Sequence, residues 1–125
     1  MTPLNFVLLT VMGGVGAGTR YAVDGYLRPR ITHGFQWTTT IINASGSLVL
    51  GFLTGLTFEH LLATDASIVI GTGLLGGYTT FSTASYETVQ LIEKRAYGHA
   101  FVSGIVMLVL CVALAAAGVW LGDSL

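Results

Sequence analysis

Four apolar stretches, each close to the about 20 residues an α-helix needs to cross ~30 Å of hydrocarbon, fill almost all of this 125-residue chain. Their limits read as 3–21, 37–58, 66–92 and 99–121, within one domain covering 1–125. Composition points the same way, with 53% hydrophobic and only 9% charged residues, where soluble domains carry about a quarter charged. The chain is therefore expected to be an all-α integral membrane protein with four transmembrane helices, and the lipid bilayer is its first partner. Five Lys/Arg against six Asp/Glu give a net charge of −1, which excludes a basic nucleic-acid binder and a polybasic peripheral protein. The seventeen glycines follow no three-residue period and lie inside apolar stretches, against a collagenous or disordered chain.

The links between spans carry the topology. Four crossings put the amino terminus, the 59–65 link and the carboxyl terminus on one side, and the 22–36 and 93–98 loops on the other. Arg20, Arg28, Arg30, Lys94 and Arg95 all fall on the second side, and no Lys or Arg falls on the first. By the positive-inside rule the basic loops are cytoplasmic and both termini extracytoplasmic, in a multi-pass protein of the cell inner (plasma) membrane. The opening Met1-Thr2-Pro3-Leu4-Asn5 lacks the Lys or Arg that a secretory signal places before its apolar core, so the first span is expected to be retained. Cys111, the single cysteine, lies deep in an apolar run and is expected to be a packing residue.

Within the spans, small residues are spaced for close helix contact: Gly14 with Gly18 in the first, and Ser47, Gly51 and Gly55 along one face of the second. The third is a poor continuous helix. Gly76-Gly77 precedes the polar, β-branched run Thr79-Thr80-Phe81-Ser82-Thr83, followed by Ser85 and Glu87. A break near its middle would free backbone groups that survive in a membrane only where protein, water or an ion meets them, and unwound carbonyls commonly hold a desolvated cation such as Na⁺. The alternative is a Ser/Thr-rich helix whose hydroxyls bond back to the preceding turn. Asn43, the one amide of the second span, suits an anion, a carbonyl or a neighbouring helix equally well. No span has an acidic residue near its middle, which argues against cation-coupled export. His33, His60 and His99 all fall near interfaces, and no catalytic or metal-binding set is visible, so no enzyme activity is expected.

Three segments resemble the CrcB/Fluc family of small fluoride channels. Gly13-Gly14-Val-Gly16-Ala17-Gly-Thr-Arg20-Tyr21 is similar to the family's first-span pattern. Thr39-Thr-Ile-Ile-Asn43-Ala-Ser-Gly46-Ser47 with Gly51 is similar to its second, and Gly76-Gly77-Tyr78-Thr79-Thr80-Phe81-Ser82-Thr83 with Ser85 and Glu87 to its third. The fourth span matches in composition and in its closing Trp120-Leu121-Gly122. The resemblance implies a dimer with an inverted subunit and passive fluoride export through narrow pores at the interface. It implies a third span broken near its middle and a structural, untransported Na⁺ held there by backbone carbonyls of Gly76 and Thr79. Phe81 falls on one family pore phenylalanine and Asn43 on the pore asparagine; Thr39, Ser82 and Thr83 offer hydroxyls to the same fluoride path. Glu87 and Arg20 suit a vestibule, or an ion pair with each other.

Two departures accompany the match. Ala84 stands where the family has a second phenylalanine, and Met107 and Cys111 stand where its fourth span often carries polar side chains. The one-sided placement of all five basic residues also opposes insertion in both orientations. The inverted subunit is therefore expected to be a paralogue of opposite charge bias rather than another copy. Two other functions compete: a small multidrug-type exporter, which would need an acid in the first span where Met12-Gly13-Gly14-Val15-Gly16 has none, and a non-conducting membrane scaffold.

Overall fold

A computed structural model describes residues 2–31 and 37–125; His33 lies outside the described residues. Helix α1 covers Pro3–Leu27, with the Thr2 hydroxyl accepting from the Asn5 N–H at 3.1 Å and Pro3 in the first turn, where its missing N–H costs nothing. The helix outruns the apolar stretch that ends at Tyr21. Asp24 and Arg28, one turn apart, pair across its last turn, and Pro29 stops it. Helix α2 covers Trp37–Phe58 and ends with His60 in the left-handed region, φ 60°, and the Leu61 N–H on the Leu56 carbonyl, a Schellman stop.

The third apolar stretch is not one helix. It begins as α3, Thr64–Ile68, widens into a π-helical stretch, Val69–Leu75, and closes in the single turn α4, Gly76–Tyr78. Thr79 is extended, φ −78° and ψ 162°, and α5, Ser82–Glu93, starts afresh beyond it. Gly76 and Gly77 are themselves helical, and the chain opens at Thr79, near the middle of the 66–92 stretch as expected. A second Schellman stop at Arg95, φ 59°, turns the chain into α6, Tyr97–Asp123. Helices α1, α2 and α6 are long and apolar enough to cross a membrane, whereas neither piece of the broken segment is. All described regular structure is helical, as an all-α membrane protein requires.

Glycine against backbone holds the helices together. A Cβ at Gly51 would overlap the Ala115 carbonyl, one at Gly55 the Val119 carbonyl, and one at Gly118 or Gly122 the backbone of α2. Residue numbers rise together along this seam, so α2 and α6 run parallel. Gly16 and Gly77 make an equally close seam between α1 and the Leu74–Tyr78 backbone. A Cβ at Gly14 or Gly18, in contrast, would meet nothing within 4 Å from elsewhere among the described residues. The expected contact through that pair is absent within the chain, because Gly13, Gly16 and Ala17 form the face that meets α4. The fully apolar core is small, Ile42, Ala44, Leu75 and Ala100, while large side chains such as Phe6, Phe101 and Leu108 point outward. Lipid tails are as apolar as these side chains, so close packing and hydrogen bonds, not burial from water, assemble such a bundle.

Candidate functional site: the helix break and its cavities

Asn43 organises the break. Its Oδ1 accepts from the Thr80 N–H at 2.8 Å and its Nδ2 donates to the Thr80 carbonyl at 2.8 Å, so one side chain replaces the helical partners of both backbone groups of Thr80. The second Nδ2 hydrogen has only the Met107 thioether, at 3.5 Å. Thr80 in turn caps α5, its Oγ1 accepting from the Thr83 N–H at 3.1 Å and lying 3.3 Å from Ser82 Oγ. Sequence reading placed Asn43 here but missed Thr80 as the hub; the Thr80-x-x-Thr83 spacing, that of a capping residue and its N–H, is the signal that could have found it.

Two carbonyls lose their partners as a result. In a continuous helix Gly76 O would receive the Thr80 N–H and Thr79 O the Thr83 N–H. The first N–H goes to Asn43 and the second to Thr80 Oγ1. Gly76 and Thr79, the residues expected to hold a cation, thus have carbonyls deprived of their helical donors. Both border a concavity of about 470 Å³ that also reaches Asn43, Ser47 and Cys111.

The side chains expected along one path divide between two further cavities. Asn43 and Phe81 share a crevice of about 520 Å³ with Ala84, Ser85, Met107 and Cys111. Phe81 is 86% exposed, with its ring free of the chain's own packing. Thr39 and Thr83 instead line a smaller pocket of about 190 Å³ with Arg20, Tyr21, Asp24 and Thr80. Ser82 is exposed and borders neither of these two. The Asn43–Thr80 bonds stand between the cavities.

Beside the small pocket, the buried Thr39 hydroxyl donates to Glu87 Oε1 at 2.5 Å, and Arg28 reaches the same oxygen at 3.3 Å. Arg28 also grips Asp24, at 2.7 Å from Nη2. The partner of Glu87 is therefore Arg28 and not Arg20, a correction with a simple cause. Because α1 continues to Leu27, Arg28 overhangs Glu87, whereas Arg20 lies about two turns back. The Asp24 carboxylate holds the Arg28 guanidinium above its already high ordinary pKa, so Arg28 stays charged. Arg20 has no ion-pair partner among the described residues. The (i, i+4) spacing of Asp24 and Arg28 was the sequence signal that could have extended α1 and found this contact.

Comparison with known proteins adds to this geometry. Residues 7–119 match the family described as CrcB-like protein, Camphor Resistance (CrcB). This chain belongs to the CrcB family. It is 46% identical to "Fluoride-specific ion channel FluC 1" of Leifsonia xyli subsp. xyli, over 98% of this chain and 89% of that one. It is 34% identical to "Fluoride-specific ion channel FluC" of Thermus thermophilus, over 97% and 95% of the two chains. It is 36% identical to "Fluoride-specific ion channel FluC 2" of Mycobacterium tuberculosis, over 98% and 94%. These CrcB relatives are named as ion channels, not as enzymes. With three apolar helices and a bent fourth segment, this CrcB chain is a multi-pass membrane protein.

Proposed function

We propose that this chain is a subunit of a fluoride-selective channel that lowers cytoplasmic fluoride by passive export. The observation that carries the reading is the Asn43-held break: it sets hydrogen-bond donors and an exposed Phe81 on a crevice in a chain whose near-full-length relatives are named fluoride channels. Fluoride is small and strongly hydrated, so a selective pore must replace its water with donors. The Asn43 Nδ2 hydrogen that meets only a thioether is available to an anion, the Phe81 ring edge offers weak donors on the same crevice, and the Thr83 hydroxyl offers one from the smaller pocket, with that of Ser82 exposed beside them. Weak, successive contacts let an ion enter and leave.

A structural Na⁺ fits the donor set, since two carbonyls without helical donors are hard oxygen ligands. Gly76 and Thr79 would hold it, and its fixed charge would favour an anion nearby. The subunits are antiparallel and complete their pores at the interface; the open crevice beside Phe81 supports this, because Ala84 leaves its wall one ring short. The partner is a paralogue of opposite charge bias, a reading supported by the one-sided basic residues and by the numbering of FluC 1 and FluC 2 among relatives. The protein resides in the plasma membrane with four crossings and both termini outside.

Fluoride efflux from proteoliposomes tests the reading, with the chain reconstituted alone and with its paralogue. Fluoride release in which chloride does not share is expected. Release absent in both preparations, or shared equally by chloride, would leave the scaffold reading in its place.

A further inference from the structure

The pocket lined by Arg20, Asp24, Thr39 and Thr83 has a charge balance that the fluoride path alone does not explain. Asp24 lines this pocket and Glu87 stands beside it, bonded to the lining Thr39, so two carboxylates make it a poor setting for an anion. Arg20 offsets one of them. Arg28 bridges both, at 2.7 Å from Asp24 Oδ1 and 3.3 Å from Glu87 Oε1. With Arg28 in place these four charges cancel; without it Arg20, Asp24 and Glu87 sum to one net negative charge beside the pocket, a field that salt screens over a Debye length of ~8 Å at physiological ionic strength. Arg30 cannot substitute, because its guanidinium stacks on the Tyr26 ring, 3.8 Å from the centroid, and donates to the Tyr26 carbonyl at 2.7 Å.

We propose that Arg28 is a positioning residue for anion access, neutralising Asp24 and Glu87 so that the pocket admits fluoride from the side bearing the basic loops. The proposal deepens the channel reading and rests on it. Arg28 acts through the carboxylates and need not touch the ion.

Fluoride efflux from proteoliposomes carrying the channel-competent assembly tests it at two ionic strengths. Arg28→Gln is expected to lower flux about threefold or more at ~0.01 M salt, with the difference shrinking below about 1.5-fold near ~1 M, where the Debye length falls to ~3 Å. Arg28→Lys keeps most of the flux, and Arg30→Gln leaves it unchanged. Adding Asp24→Asn to Arg28→Gln restores flux, since it restores neutrality. A purely structural role predicts the opposite, because the double variant removes still more of the contact. Arg28 is half-exposed, so Arg28→Gln should assemble normally, which size-exclusion chromatography checks. Wild-type flux with an unchanged Arg28→Gln, or a loss that salt does not diminish and Asp24→Asn does not repair, overturns the proposal alone. Wild type without flux overturns the channel reading and this proposal together.

Discussion

The Asn43 carboxamide holds Thr80 by both ends, so Asn43→Ala strands a buried N–H and a buried C=O. Each unsatisfied group costs about 1–3 kcal/mol, and the variant should lose about 2–6 kcal/mol of stability, read as a lower unfolding midpoint in detergent. An unchanged midpoint would mean that the break is held elsewhere. Phe81 belongs to the opposite class: 86% exposed, it contributes little to the chain's own packing. Phe81→Ile should therefore cut fluoride flux with dimer assembly intact, and full flux would remove the ring from the path. Glu87→Gln keeps an acceptor for Thr39 and loses the charge that pairs with Arg28. Altered flux at near-constant stability is the result expected of a residue at the mouth of the pocket. Asn43, Phe81 and Glu87 were legible in the sequence, because polar or aromatic side chains beside a helix-breaking run stand out in an apolar chain. Thr80 and Arg28 left only local signals, a capping spacing and an (i, i+4) ion pair, because the rest of their roles depends on which residues of other helices come level with them.

Between elements, the α2–α6 seam has no room for side chains. Gly51→Leu or Gly118→Leu would force the two backbones apart, and loss of folded protein in detergent is expected, well beyond the ~1–3 kcal/mol of ordinary overpacking. Gly14→Leu, facing open space within the chain, is tolerated by the monomer fold. At the end of the same seam Asp123 lies beside Glu59 and holds its carboxyl above the ordinary 4.5, mainly through a hydrogen bond. A raised carboxyl pKa means that the folded protein binds the proton more tightly. The stabilising contribution is thus complete below the ordinary pKa and lost as pH rises through the raised one. Asp123→Asn should move the Glu59 titration back towards 4.5, seen by NMR of a labelled Glu59 side chain; an unmoved titration would show the pair to be independent.

For the whole molecule, the decisive variable is orientation. A cysteine introduced into the 93–98 loop should be labelled from one face of the membrane only, and fluoride efflux should require the paralogue. Labelling from both faces together with conduction by this chain alone would establish a homodimer instead. The membrane character, the positions of the apolar runs and the one-sided distribution of charge are all legible along the chain. Each of these adds residue by residue along the chain, as transfer free energy and loop charge do. The weak point of the third stretch is legible there too, to within a few residues. The exact residue at which that stretch opens, the loss of helical donors at Gly76 and Thr79, and the meeting of Glu87 with Arg28 rather than Arg20 come from how the helices pack. Those outcomes depend on the register between helices, fixed where glycine lets one backbone rest on another, and register is a property of pairs of segments rather than of either alone.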